Sequence, residues 1–346
     1  MELTPIKIPG KRRRKGEPVA ISLPKRSKNT ANTRPKKMRQ SRVPSLEEMP
    51  LEILERIFWF SEEVNLPRSS LRLGRLLSGR ATLRETFITA FGPTWEVWFG
   101  CVRDRESRPP TVQSYAGWEE DSARFGGNPE FQSALLEYSW ADVPFILDCW
   151  DRWVRRYAKN RPYHHVKIWD NAGVSTSDDA TEDSSNNTGD VKKASHYFFH
   201  DFVAFRRVLT ETGIRRENNT RTLIEVHRDT RVPDALLSGP WDAAALQKFF
   251  WLVRAGARLS PDQTWEVTLQ CYHDAITDTT PPTGDVNLTV IRLLDTMEAF
   301  NAWPKHVVVE EYERAERICV SSNRAIEAGV FLNYAYILMR LGPLID

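Results

Sequence analysis

Long apolar runs are missing from this chain of 346 residues: no stretch approaches the roughly 18 consecutive apolar residues that a membrane-spanning helix needs, and the charged N-terminus lacks the apolar core of a signal peptide. The chain is therefore expected in the nucleus, the cytoplasm or both, with no membrane partner. Cysteine is scarce as well. Cys101, Cys149, Cys271 and Cys319 are scattered without a Cys-x-x-Cys pair, which excludes a disulfide framework and a cysteine zinc site and leaves ordinary reduced core thiols. The Gly-x-Ser-x-Gly elbow, the phosphate-binding loop, the Gly-x-Gly-x-x-Gly fingerprint and the kinase signatures are all absent. An enzyme is not expected, nor a cofactor. No internal repeat recurs, so leucine-rich repeats and propeller blades are not supported as the architecture.

Aromatic residues are absent from one long stretch. Residues 1–43 contain no Phe, Trp or Tyr, and they hold 14 Lys/Arg against Glu2 and Glu17, a balance of +12. The remainder carries 34 basic against 44 acidic residues, or −10. A segment so charged and so poor in apolar groups cannot offset the chain entropy of folding, and it reads as a disordered basic tail. Within it, Lys11, Arg12, Arg13, Arg14 and Lys15 precede a second cluster at Lys25, Arg26 and Lys28, the pattern of a bipartite nuclear import signal that an acidic carrier would read.

What is present is a helical body. The 41% apolar content and 12 Trp suffice for a core, and apolar residues appear at helical spacing from Val43 to about Trp169. Residues 171–193 then turn polar and acidic (Asp178, Asp179, Glu182, Asp183) and read as a flexible loop or linker. Beyond it, Leu246, Phe249, Phe250 and Val253 make one helical stripe opened by Asp242 and closed by Gly256. Ile291, Leu294, Met297 and Phe300 make another, and Ala328, Phe331, Tyr334, Ile337, Leu338 and Leu341 a third, stopped by Gly342-Pro343. Val307–Val309 suits either a short strand or a helix start. The fold class is mainly α, with a tail at 1–43, a helical bundle at 44–90, a Trp-rich helical region at 91–170, the acidic loop at 171–193 and a helical region at 194–346 that can pack with 91–170 as one body.

The informative segment opens that bundle. Ser45 and Glu48 have capping-box spacing, Pro50 suits a helix start where its missing N–H costs nothing, and Ile53, Leu54, Ile57, Phe58 and Phe60 then spread over two helix faces. One face can build a core and the other can meet a partner. A Leu-rich stretch, Leu66 to Leu77, follows.

This segment resembles the opening of the F-box, Leu-x-x-Leu-Pro-x-Glu-Ile/Leu-Leu/Ile-x-x-Ile-Phe/Leu. Leu46, Pro50, Glu52, Ile53, Leu54, Ile57 and Phe58 match it, and Met49 replaces its second Leu. The family's later Cys/Ser-Arg/Lys-Trp is here Ser78-Gly79-Arg80 without the Trp, so the third helix departs from the pattern. The layout of basic tail, F-box and Trp-rich helical body is similar to that of fungal F-box proteins. The resemblance implies a substrate-receptor subunit of a Skp1-cullin-F-box ubiquitin ligase. Leu46, Met49, Pro50, Ile53 and Leu54 would anchor the Skp1-type adaptor, Ile57 and Phe58 would be shared between that contact and the core, and the C-terminal region would hold a protein substrate whose reading surface stays unknown.

Three other readings compete with it. His196 and His200 share a helix face at chelating spacing, but no Glu follows the first and no third ligand is evident, so no metal is expected. Trp150, Trp153 and Tyr157 line one face beside Arg152, Arg155 and Arg156, a pattern that suits core packing before a substrate surface. The alternative function is a nuclear nucleic-acid-associated or scaffold protein using the basic arm, but an arm without stacking aromatics and an acidic body count against nucleic acid as a partner.

Overall fold

The computed structural model describes residues 45–99, 102–103, 125–159, 161, 163, 165, 193–211, 222–277, 287–321, 337–338 and 340–345. The basic clusters between Lys11 and Lys28, residues 171–192 of the acidic loop and the stripe at 328–336 lie outside them. The chain divides into two units, Met1–Met49 and Pro50–Asp346. Of the first, the described part holds one 3-10 turn, Leu46–Glu48, in which the Ser45 N–H donates to the Glu48 carboxylate at 3.3 Å and the Met49 N–H to the Leu46 carbonyl at 3.2 Å.

The second unit is mainly helical. Its order is α1 Leu51–Ser61, α2 Leu71–Leu77, α3 Arg80–Trp98, β1 Val102–Arg103, α4 Pro129–Leu136, α5 Val143–Tyr157, α6 Ala194–Glu211, β2 Thr222–Leu223, α7 Ala243–Arg254, α8 Trp265–Thr277, α9 Leu288–Thr296 and α10 Lys305–Ser321. β1 and β2 pair antiparallel over two residues, Val102 with Leu223 and Arg103 with Thr222. No helix among the described residues is long and apolar enough to cross a membrane.

Local chemistry sets the helix starts. The Asn128 side chain accepts from the Glu130 and Phe131 N–H groups, Asp142 from Phe145, and Asp242 from Ala245, each satisfying orphan donors of a first turn. α7 ends as its sequence implies, with Gly256 at φ 89° and the Ala257 N–H returning to the Leu252 carbonyl at 3.0 Å. The Val307–Val309 ambiguity resolves as a helix, inside α10. The stripe at Ile291–Phe300 is corrected: α9 stops at Thr296, Glu298 turns the chain at φ 61°, and Ala299–Ala302 forms a 3-10 turn. The turn still buries Phe300, which packs edge-on to Trp303 at 4.9 Å.

The expected boundary at residue 90 is corrected as well, because α3 runs unbroken through it. Phe87, Phe91 and Trp95 at i, i+4, i+8 form a buried row, with Phe87 stacked on Phe91 at 4.1 Å and Trp95 meeting Trp153 of α5 edge-on at 5.8 Å. Gly92 makes this crossing close: a Cβ there would stand 3.3 Å from Trp153 Nε1. One contiguous core then takes residues from α3 to the end of the chain. Breaking α3 at residue 90 would divide that row.

A single buried amide fastens this core. Gln132 of α4 donates to the Ala90 carbonyl and to Thr94 Oγ1, both at 2.9 Å, and its Oε1 accepts from the His227 N–H at 2.8 Å and the Thr230 hydroxyl at 2.9 Å. All four groups meet on one side chain, and removing it takes a hydrogen bond from each of them in the interior, although Thr94 Oγ1 keeps its bond to the Gly126 carbonyl. Gln132→Leu is expected to cost about 3 kcal/mol, read from the denaturant midpoint of the full chain. A loss below about 0.5 kcal/mol would mean that water replaces the amide freely.

Candidate partner-docking face

α1 sorts its apolar residues onto two faces. Leu54 and Phe58 are fully buried, against a unit that also buries Leu73 and Leu77 of α2. Two polar links fix α1 on α3: Trp59 Nε1 donates to Thr86 Oγ1 at 3.0 Å, and the Thr82 hydroxyl to Glu55 Oε1 at 2.6 Å. With that face committed, Ile53, Ile57 and Phe60 at i, i+4, i+7 are left on the opposite flank, with Ile53 43% and Phe60 86% exposed and Ile57 half-buried. Leu71, at the start of α2, is 80% exposed, and Leu51 is 38% exposed. Half of the eight large exposed apolar side chains among the described residues therefore fall between Leu51 and Leu71. Apolar exposure is thus concentrated in α1 and the start of α2.

The expected anchors divide accordingly. Ile53 and Pro50 are exposed and Ile57 is half available. Leu54 is corrected from partner anchor to core residue, because α1 can only pack on α2 and α3 by turning Leu54 inward, and Phe58 is likewise taken wholly by the core. Leu46 and Met49, in the first unit, are half-buried. Sequence reasoning missed Leu71 altogether. It named Phe60 among the apolar residues of α1 but left it off the anchors, although its spacing from Ile53 and Ile57 was the available signal.

Other sequence candidates lie elsewhere. Trp150 and Trp153 are core residues, Tyr157 is half exposed, Arg152 pairs with Asp148 at 3.2 Å, and Arg156 pairs with Glu85 at 3.2 Å. Those arginines form exposed ion pairs along α5 and across to α3. His196 is exposed and stands apart from His200, which sits with His165 and Asp201. Cavities of about 10 and 20 Å³ lie among Trp95, Trp98, Trp150 and Tyr163, room suited to a water and not to a metabolite. Burial pushes the Cys149 thiol up and the Cys271 thiol up to about 12, which leaves both poor nucleophiles.

Lys248 of α7 reaches the end of α4, where its ammonium donates to the Leu136 carbonyl at 2.7 Å and more weakly to that of Tyr138 at 3.4 Å. Burial pulls its pKa from 10.5 down to about 8, against the opposing pull of Glu137 and Asp142. The folded state thus releases this proton more readily than the unfolded chain. Lys248 weakens the fold most below pH 8, and that penalty fades as pH rises to 10.5. The stability difference between the native chain and Lys248→Met should move in favour of the native chain across this window, as followed by urea unfolding. A flat difference would contradict the placement.

Searches against protein-family models, curated proteins and solved structures find no match for this chain.

Proposed function

We propose that this chain is an adaptor-type recruiting protein whose α1–α3 bundle docks on a Skp1-type adaptor in the manner of an F-box, linking it to a cullin, while the remaining helical body holds a protein target. The observation that carries the reading is the exposed row Ile53, Ile57 and Phe60 on a helix whose other apolar face is fully committed to the core. A solvated helix gains nothing from such a row, whereas an apolar groove on a partner buries it with a helix-in-groove contact. The F-box resemblance at Leu46–Phe58 supplies the partner's identity.

Catalysis in this reading belongs to the ligase. The chain contributes proximity, raising the effective concentration of the target beside the ubiquitin carrier. The basic clusters from Lys11 to Lys28 support import into the nucleus as part of the same proposal. Capture of purified Skp1 by the full chain tests the reading. Failure of capture by a chain that unfolds cooperatively would reject it.

A further inference from the structure

The sequence pairs His196 with His200, but the fold selects a different trio. His165, from the chain before α6, brings Nε2 to 2.9 Å from Asp201 Oδ1, and His200 Nδ1 lies 3.8 Å from the same oxygen. The three candidate ligand atoms all fall within 4.8 Å of one another. Metal–nitrogen and metal–oxygen bonds of about 2.0–2.1 Å in a tetrahedral site set ligand atoms roughly 3.3 Å apart, so small side-chain rotations bring this trio onto one centre.

We propose that His165, His200 and Asp201 form a binding site for a divalent transition metal of the zinc type. Two imidazoles and one carboxylate suit zinc, cobalt or ferrous iron, whereas calcium and magnesium call for oxygen ligands. The site has a built outer shell. Arg254 holds the far oxygen of Asp201 at 2.6 Å, which fixes the carboxylate with Oδ1 toward the imidazoles, and Glu225 offsets Arg254 at 3.1 Å. Two carboxylates against one guanidinium leave surplus negative charge for a cation to meet. His165 is itself only 10% exposed, so its Nε2 meets the Asp201 carboxylate away from bulk water. His200 is 39% exposed as a side chain, so its ring reaches solvent while Nδ1 faces the site buried.

A metal here would tie the chain at His165 to α6, steadying the body and not the docking face. The test uses the full chain without an affinity tag, stripped with chelator and titrated with Zn²⁺ by calorimetry and with Co²⁺ by visible absorption. The expected result is one equivalent of Zn²⁺ bound, an intense tetrahedral Co²⁺ spectrum and a raised melting temperature, with no response to Ca²⁺. His200→Ala should weaken Zn²⁺ binding by roughly 100-fold or more, since even outer-shell losses reach that size. His196→Ala, one turn earlier on the exposed side, should bind as the native chain does. Equal metal-free melting temperatures for both variants would show that the loss is not unfolding. No uptake by the native chain, or unchanged uptake by His200→Ala, overturns the site without touching the adaptor reading.

Discussion

Arg254→Ala should cost about 3–5 kcal/mol, enough to remove much of the stability of an ordinary domain. The guanidinium is 2% exposed and binds Asp201 at 2.6 Å and Glu225 at 3.1 Å, joining α7 to α6 and to the segment after β2. Burial works against its charge, but Glu225 and Asp201 outweigh that and raise its pKa. Burial likewise pushes Asp201 up, while hydrogen bonds from His165 and Arg254 win and hold its carboxyl below the ordinary value. In the native chain, then, Asp201 stabilises above its unfolded pKa near 3.8 and loses that contribution as pH falls through the lower folded value.

Removing Arg254 leaves the buried Asp201 and the half-buried Glu225 with no guanidinium beside them. Asp201 then escapes the penalty by taking a proton. The cost of Arg254→Ala, followed by urea unfolding, should be largest near pH 7 and shrink toward pH 5. A cost independent of pH would mean that the side chain matters for packing alone.

The helices were legible in the sequence wherever a short-range rule governs them. Asp242 and Gly256 bracket α7 because capping and a left-handed turn act within a few residues. The 3.6 periodicity of α1 likewise spread Ile53, Leu54, Ile57, Phe58 and Phe60 over two helix faces. It could not say which row faces inward, because that is decided by α2 and α3, which the row itself does not encode. Leu54 was misplaced for this reason.

The boundary at residue 90 followed the reach of the F-box resemblance, whereas α3 continues through Gly92-Pro93 although that pair is a local helix-breaking signal. Its side chains pack against α5 on one flank and accept Gly126 and Gly127 on the other, where a Cβ at Gly126 would sit 2.6 Å from the Pro93 carbonyl. Tertiary contact overrides the propensity. Arg254 and Gln132 were illegible for a related reason: as one cation near a helix end and one polar residue in α4, they acquire meaning only through partners 29 to 98 residues away.

The second large effect belongs to the docking face. Ile53→Asp with Phe60→Asp places two carboxylates in the proposed groove and removes two apolar anchors, each worth about 1.5–3 kcal/mol when buried. Both side chains are solvent-exposed in the free chain, so the melting temperature should change little. Leu54→Asp is the counterpart: at 0% exposure it should unfold the bundle before it tests any partner.

The most direct measurement is therefore a calorimetric titration of purified Skp1 into the full chain and into the Ile53→Asp, Phe60→Asp variant, with their melting curves alongside. One-to-one binding by the native chain, weakened at least 100-fold in a variant that melts normally, is the expected result. Undiminished binding by that variant, or none by a folded native chain, would contradict the docking face.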